Sequence, residues 1–248
     1  MDNMVGGVYI ILQARMNSER LPGKVMKSIA GKPMIGILID RLKQSELPII
    51  LATSINIEND TLADYAKSLG VLVYRGSEEN VLERYYFAAK GVEANVVIRV
   101  TGDNPLSDGQ FLRNQVDLFL SLNDSRAYLS TSLSQTWPLG ISVEVFSFEL
   151  LEEAYHNSVL HYQMEHVTPY MHQNVPGDIK IIAPRRDGGR YHYRLTLDTE
   201  DDFILHCRLI EEFGCEKKTI EEIIQILDNN KDLTLINKSI KQKKWNNS

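Results

Sequence analysis

The chain has 248 residues, 43% of them apolar and 24% charged, the ordinary balance of a globular protein with room for one large α/β domain or two small ones. A formal net charge of −6 excludes broad, nonspecific binding to nucleic acid, which rests on many Lys and Arg contacts to phosphates. The two cysteines, Cys207 and Cys215, lack metal-ligand spacing and fit a reduced, cytoplasmic setting, while the apolar run near the N-terminus closes on Arg15 too early for a membrane span or a signal peptide.

Strand-like runs over 8–12, 49–52, 71–74 and 96–100 alternate with helix-like stretches over 34–44, 61–69 and 81–90, the rhythm of a parallel sheet. Asn59 and Asp60 are suited to cap the second helix and Gly70 to stop it. An amphipathic stretch runs from Asp108 to Leu122, and a strand is expected over 141–146. Regular alternation then breaks: residues from about 135 to 192 contain helices over 148–156 and 162–172, a Pro176-Gly177 loop and a basic turn over 185–190. This part reads as a smaller lobe that covers the ligand edge of the sheet and pairs with a second copy. Helices over 201–213 and 219–227 close a single domain of residues 1–230, and residues 231–248, with Lys238, Lys241, Lys243 and Lys244, read as a basic, mobile tail.

Chemistry concentrates in three places. The first is the loop after the opening strand, Gln13-Ala14-Arg15-Met16-Asn17-Ser18-Glu19-Arg20-Leu21-Pro22-Gly23-Lys24. It matches neither a Walker motif nor a Gly-x-Gly-x-x-Gly fingerprint. It does offer two guanidinium forks, one ammonium and the neutral partners Asn17 and Ser18, a set suited to a triphosphate at the carboxyl end of a parallel strand. The second is Arg99-Val100-Thr101-Gly102-Asp103-Asn104-Pro105-Leu106, where a buried strand ends in a turn that presents a carboxylate. A triphosphate arrives with Mg²⁺, which takes one or two protein carboxylates, although an ordinary Asx turn would look the same. The third is Leu195-Thr196-Leu197-Asp198-Thr199-Glu200-Asp201-Asp202, again strand, then acid, then helix, in which Asp198 is the candidate second ligand. Thr199 is a candidate helix cap, and Glu200, Asp201 and Asp202 are accounted for by the helix dipole.

These pieces, with Gly31-Lys32-Pro33-Met34, Ala52-Thr53-Ser54, Tyr74 to Tyr85, Val143 to Ser147 and Glu165 to Tyr170, follow an order that resembles the sugar-acid cytidylyltransferases. These are the CMP-KDO and CMP-sialate synthetases, with the SpsF type of spore coat polysaccharide biosynthesis protein most similar. The resemblance runs to about Phe213. It implies a glycosyltransferase-A-like α/β fold, mostly parallel, that joins a sugar to CMP from CTP with Mg²⁺ and releases pyrophosphate. The acceptor it implies is a 2-keto-3-deoxy sugar acid destined for surface polysaccharide. The implied partners are CTP and the sugar, in a homodimer with no membrane span.

By that resemblance the nucleotide side comprises Leu12, Ala14, Arg15, Asn17, Ser18, Arg20, Lys24, Thr53, Arg75, Ser77 and Arg84. Arg15, Lys24, Asp103 and Asp198 are the catalytic set, Asp103 and Asp198 the metal ligands, and Glu144, Glu165 and His166 the sugar side. Ser142 stands where SpsF-like sequences commonly carry an acid. His156, His161, His172, His192 and His206 read as surface or packing residues, and Trp137 and Trp245 carry no functional signal. Arg185, Arg186 and Arg190 suit either an acidic sugar's carboxylate or a solvated hairpin tip. Two other readings share the fold: a glycosyltransferase that consumes a nucleotide sugar, and a nonenzymatic nucleotide-binding subunit.

Overall fold

Strand β1 (Val8–Gln13) sends Val8, Ile10 and Leu12 into one apolar core and Tyr9 and Ile11 toward another, as a strand covered on both faces must. The computed structural model describes residues 7–187 and 193–242, so Arg190, His192, Lys243, Lys244 and Trp245 lie outside the described residues. A short hairpin of β2 (Ser28–Ile29) and β3 (Lys32–Pro33) leads into α1 (Met34–Lys43). There follow β4 (Ile49–Ser54), α2 (Asp60–Ser68), β5 (Leu72–Gly76), α3 (Val81–Lys90), β6 (Val96–Thr101) and α4 (Gly109–Ser121). Beyond them come β7 (Ala127–Ser130), β8 (Glu144–Ser147), α5 (Phe148–Asn157), α6 (His161–His166), α7 (Pro169–His172) and β9 (Lys180–Ile182). Helices α8 (Glu200–Glu211), α9 (Ile220–Asn229) and α10 (Lys231–Ile236) complete the order.

The main sheet has the order β5-β4-β1-β6-β8-β7-β9, parallel except for β8, which runs against both β6 and β7. Helices α1, α2 and α4 cover one face, and α3, α5 and α7 the other. A third core, built from Leu195, Leu197, Leu205, Leu209, Ile223 and Leu233 among others, fixes α8, α9 and α10 to the segment 193–199. Register aligns the carboxyl ends of the first parallel strands: Gln13 faces Ala52 on one side and Thr101 on the other, and Thr53 faces Arg75. The loops after β1, β4, β5 and β6 therefore leave the sheet at one edge, where ligands of open α/β sheets bind.

Four features depart from the sequence reading. The strand expected over 141–146 begins only at Glu144, because Val143 instead exchanges backbone and side-chain hydrogen bonds with Thr131. Four short strands, β2, β3, β7 and β9, were not legible in the pattern. The helix expected over 162–172 is two helices, broken where Val167 takes φ 70° and Pro169, which has no N–H to donate, starts the second. The stretch from Lys231 forms α10, with Leu233 fully buried and Asn237 nearly so. Lysine-rich composition hid the apolar Leu233-Ile236 face that packs this helix onto the third core.

Candidate functional site

Glycine makes the convergence at the sheet edge possible. Gly102 follows β6 and donates to the Gln13 carbonyl at 2.7 Å, and a Cβ there would lie 2.7 Å from the Ala14 Cβ, so the β1 and β6 ends approach as closely as they do only without a side chain. The next residue, Asp103, is held by the Thr101 hydroxyl, and its carbonyl accepts from Leu197 N (2.7 Å) and Thr196 Oγ1 (3.2 Å). Gly140, at φ 98°, lets residues 139–140 lie flat on the same segment, where Leu195 N donates to Leu139 O at 2.7 Å. Asp198 is thus carried to Asp103 although the two are far apart in the chain.

Lys24 stands between the two acids. Its Nζ is 2.9 Å from Asp198 Oδ1 and 3.8 Å from Asp103 Oδ2. Arg20 Nη2 reaches Asp198 Oδ2 at 3.2 Å, and Arg194 Nη2 reaches the same oxygen at 2.8 Å. Burial alone would push the Asp198 carboxyl up, but Lys24, Arg20 and Arg194 hold it below the usual carboxylate range. Asp198 therefore stays an anion. Two hard oxygen donors drawn onto one cationic centre suit a divalent cation that takes its remaining ligands from phosphate and water. Among the described residues no group of three or more His, Cys, Asp or Glu side chains gathers to hold a metal ion by itself.

The loop carrying Lys24 is closed by its own backbone, with Gly23 N on Met16 O (3.0 Å) and Gly23 at φ 67°, and tied to α2 by Asn59, whose Oδ1 accepts from Met16 N (2.9 Å) and Thr53 Oγ1 (3.3 Å). Leu12, Ala14 and Thr53 are buried beneath it, while Asn17 is exposed and Ser18 half-buried at its tip. Arg15 leans away from Lys24 and pairs with Glu78, Nη1 to Oε1 at 3.2 Å. Arg84 is fully buried and donates to the carbonyls of Ser77 (2.7 Å) and Glu78 (3.2 Å), so it holds the loop after β5 from below. Arg75 is occupied by Ser54 O, Asn56 O and Asp60, and the Ser77 hydroxyl accepts from Asn80 N. The structure brings Lys24, Arg20, Asp103 and Asp198 together; Arg15, Arg75, Ser77 and Arg84 form a neighbouring group around Glu78 and the Ser54–Asn56 turn.

On the other flank, Glu144 is buried and bonded by Arg99, the Tyr128 hydroxyl and Thr168 Oγ1 (2.7 Å). Burial pushes its carboxyl up, yet Arg99 and the two hydroxyls leave it below its ordinary value. Glu144 is therefore an internal anchor of the covering segment, not a free carboxylate. His166 ends α6, half-buried, with its pKa lowered by burial and partly restored by Glu165, which itself approaches His161. Arg186 is engaged with Glu221, its Nε 2.9 Å from Oε1. Thr199 caps α8 as expected, but Asp202, ascribed from sequence to the helix dipole, is completely buried on Arg194. The roles of Arg194, Arg99, Glu78 and Asn59 were missed. Asn59 read only as a cap candidate, and Arg99 and Glu78 only as members of longer stretches, because their partners are remote in the chain.

A family model described as Cytidylyltransferase matches residues 9–243. The chain is 40% identical over 239 residues to an uncharacterized protein of Methanocaldococcus jannaschii, covering 95% of this chain and 96% of that one. It is 33% identical over 237 residues to the spore coat polysaccharide biosynthesis protein SpsF of Bacillus subtilis, covering 91% and 95%. Over 115 residues it is 32% identical to a 3-deoxy-manno-octulosonate cytidylyltransferase of Chloroherpeton thalassium, covering 45% of each. Among solved structures, a cytidylyltransferase of Leptospira borgpetersenii superposes with a TM-score of 0.85 at 30% identity, covering 96% of this chain and 99% of that one. A CMP:2-keto-3-deoxy-manno-octonic acid synthetase complexed with CTP shares the fold, with a TM-score of 0.64 at 15% identity and coverage of 84% and 99%.

Proposed function

This chain belongs to the cytidylyltransferase family, and we propose that it activates a sugar, of the 2-keto-3-deoxy sugar acid class, as its CMP derivative for surface polysaccharide. The observation that carries the assignment of the site is the gathering of Lys24, Arg20, Asp103 and Asp198 at the carboxyl edge of the parallel sheet. The acidic acceptor is supported by the similarity to the 3-deoxy-manno-octulosonate cytidylyltransferase, and the polysaccharide role by the similarity to SpsF.

In the proposed reaction a sugar hydroxyl attacks the α-phosphorus of CTP, the new O–P bond forms as the bond to the β-phosphate oxygen breaks, and pyrophosphate leaves in line. Mg²⁺ held by Asp103 and Asp198 would neutralise phosphate charge and acidify the attacking hydroxyl. Lys24 and Arg20, bonded to carboxylate in the free protein, exchange those contacts for phosphate oxygens when the nucleotide enters and so offset part of the triphosphate's charge. Arg15, on the Glu78 side, lies on the wall of the loop that receives the nucleotide. Glu144 serves the acceptor indirectly by fixing Arg99 and Thr168. Positioning and charge neutralisation then supply most of the catalysis, as in other phosphoryl transfers.

The test is incubation with each of the four NTPs, Mg²⁺ and a panel of 2-keto-3-deoxy sugar acids and sugar phosphates, with products read by mass. A CMP-sugar formed with pyrophosphate from CTP is the expected result. Nucleotide release without pyrophosphate, or no product from any acceptor, contradicts the reading.

A further inference from the structure

Resting on that reading, we propose that the C-terminal segment is part of the active-site machinery: Asn237, just after α10, latches a buried Arg194–Asp202 pair that sets the position of the metal-holding Asp198. The four residues come from three segments of the chain, and all are buried. Arg194 grips Asp202 with both prongs of its fork, Nε to Oδ1 at 2.8 Å and Nη2 to Oδ2 at 3.0 Å, and the same Nη2 donates to Asp198 Oδ2 at 2.8 Å. A bidentate grip fixes the guanidinium plane, so the Asp198 side chain is held in one orientation. Asp202 Oδ2 also accepts from the backbone N–H of Asp198 at 3.0 Å and of Thr199 at 3.1 Å. Asp198 is thus anchored by its main chain and its carboxylate to a single pair.

Asn237 completes the arrangement from outside. Its Nδ2 donates to Asp202 Oδ1 at 2.8 Å, beside the Arg194 Nε that reaches the same oxygen, and to the Arg194 carbonyl at 3.0 Å, so one amide ties the carboxylate of the pair to the backbone of its arginine. The helix that delivers it is held by Leu233, which sits in the third core and has no polar link to the pair. Partners one step behind a metal ligand govern its orientation and basicity, and their loss weakens metal affinity by about ten- to a hundredfold. Asn237, Arg194 and Asp202 are positioning residues in this sense.

The experiment measures Mn²⁺ affinity of the full chain in the presence of CTP by electron paramagnetic resonance, together with kcat and KM for CTP. Asn237→Ala and Arg194→Lys, the latter keeping the charge but losing the fork, should each weaken Mn²⁺ binding by about tenfold or more and lower kcat more than they raise KM. Ile223→Ala, which loosens the same core from α9, should lower thermal stability and leave Mn²⁺ affinity of the folded protein unchanged. Wild-type affinity in both Asn237→Ala and Arg194→Lys, or an equal loss in Ile223→Ala, overturns the latch. Absence of Mn²⁺ binding by the wild-type chain with CTP overturns the functional reading beneath it instead.

Discussion

At the residue scale the site is a balance of charge. Among the described residues Lys24 is the one cation paired with both Asp103 and Asp198, so its removal leaves two carboxylates facing each other across a gap and takes a donor from the incoming triphosphate. Hydrogen bonds to charged groups contribute roughly 1.5–3 kcal/mol, so Lys24→Ala should lower kcat/KM for CTP by at least about tenfold in a pyrophosphate-release assay. Gly102 is constrained by space. A methyl group there meets the Ala14 Cβ, and Gly102→Ala should destabilise the protein by about 1–3 kcal/mol in urea melts, as overpacking does, and reduce turnover because Asp103 moves with it. The cation-bearing loop after β1 was legible because its cations follow a strand directly. Arg194 was not, since a lone arginine between apolar residues says nothing until Asp198 and Asp202 fold back upon it.

At the scale of elements, what matters is how the loops are tied to the helices behind them. Asn59 heads α2 and holds the loop after β1 through the Met16 N–H, which no other hydrogen bond in the described structure engages. Asn59→Ala should raise KM for CTP by about five- to tenfold with a smaller change in kcat, since an unmade bond to a part-buried N–H costs on the order of 1–3 kcal/mol, spread here over loop order and binding. Unchanged steady-state constants would show that the loop is rigid without this tie. The helices and parallel strands up to Ser121 were readable because their apolar periods are long and unbroken, as in α1 and α4. Strands β7 and β9 are too short to carry a period, and the break between α6 and α7 depends on a left-handed Val167 that no pattern announces. The fold of α10 escaped notice for the opposite reason, because two apolar residues among lysines suffice when a core is waiting for them.

For the whole molecule, several buried groups link stability to pH with one sign. His206 is fully buried, its Nδ1 2.8 Å from the Asp202 carbonyl, and burial pushes its pKa below the usual value, so the native state keeps it neutral. The unfolded chain binds that proton first, near pH 6.5, and stability is therefore lost as pH falls below that point. Asp198 and Asp202, also lowered despite burial because Lys24, Arg20, Arg194 and Asn237 stabilise their anions, add a second loss below about pH 4, where the unfolded carboxylates protonate. Urea denaturation should show unfolding free energy falling between pH 7.5 and 5.5, and His206→Gln should flatten that slope; an equally steep slope in the variant would assign it to other groups. Parallel-sheet order and the placement of the site at its carboxyl edge were implied by the strand and helix rhythm, whereas the meeting of Asp103 and Asp198 required the closing segment 193–199, whose course is set by Gly140 and the third core. That meeting is tested most directly by pyrophosphate release from CTP in Asp103→Asn, an isosteric change that leaves the Thr101 bond available. A loss of more than about a hundredfold in kcat, with circular dichroism and melting temperature near wild type, is expected of a carboxylate that holds the cation on the phosphates. Turnover within a factor of about two of wild type, a negligible free-energy change, would contradict the assignment of the site.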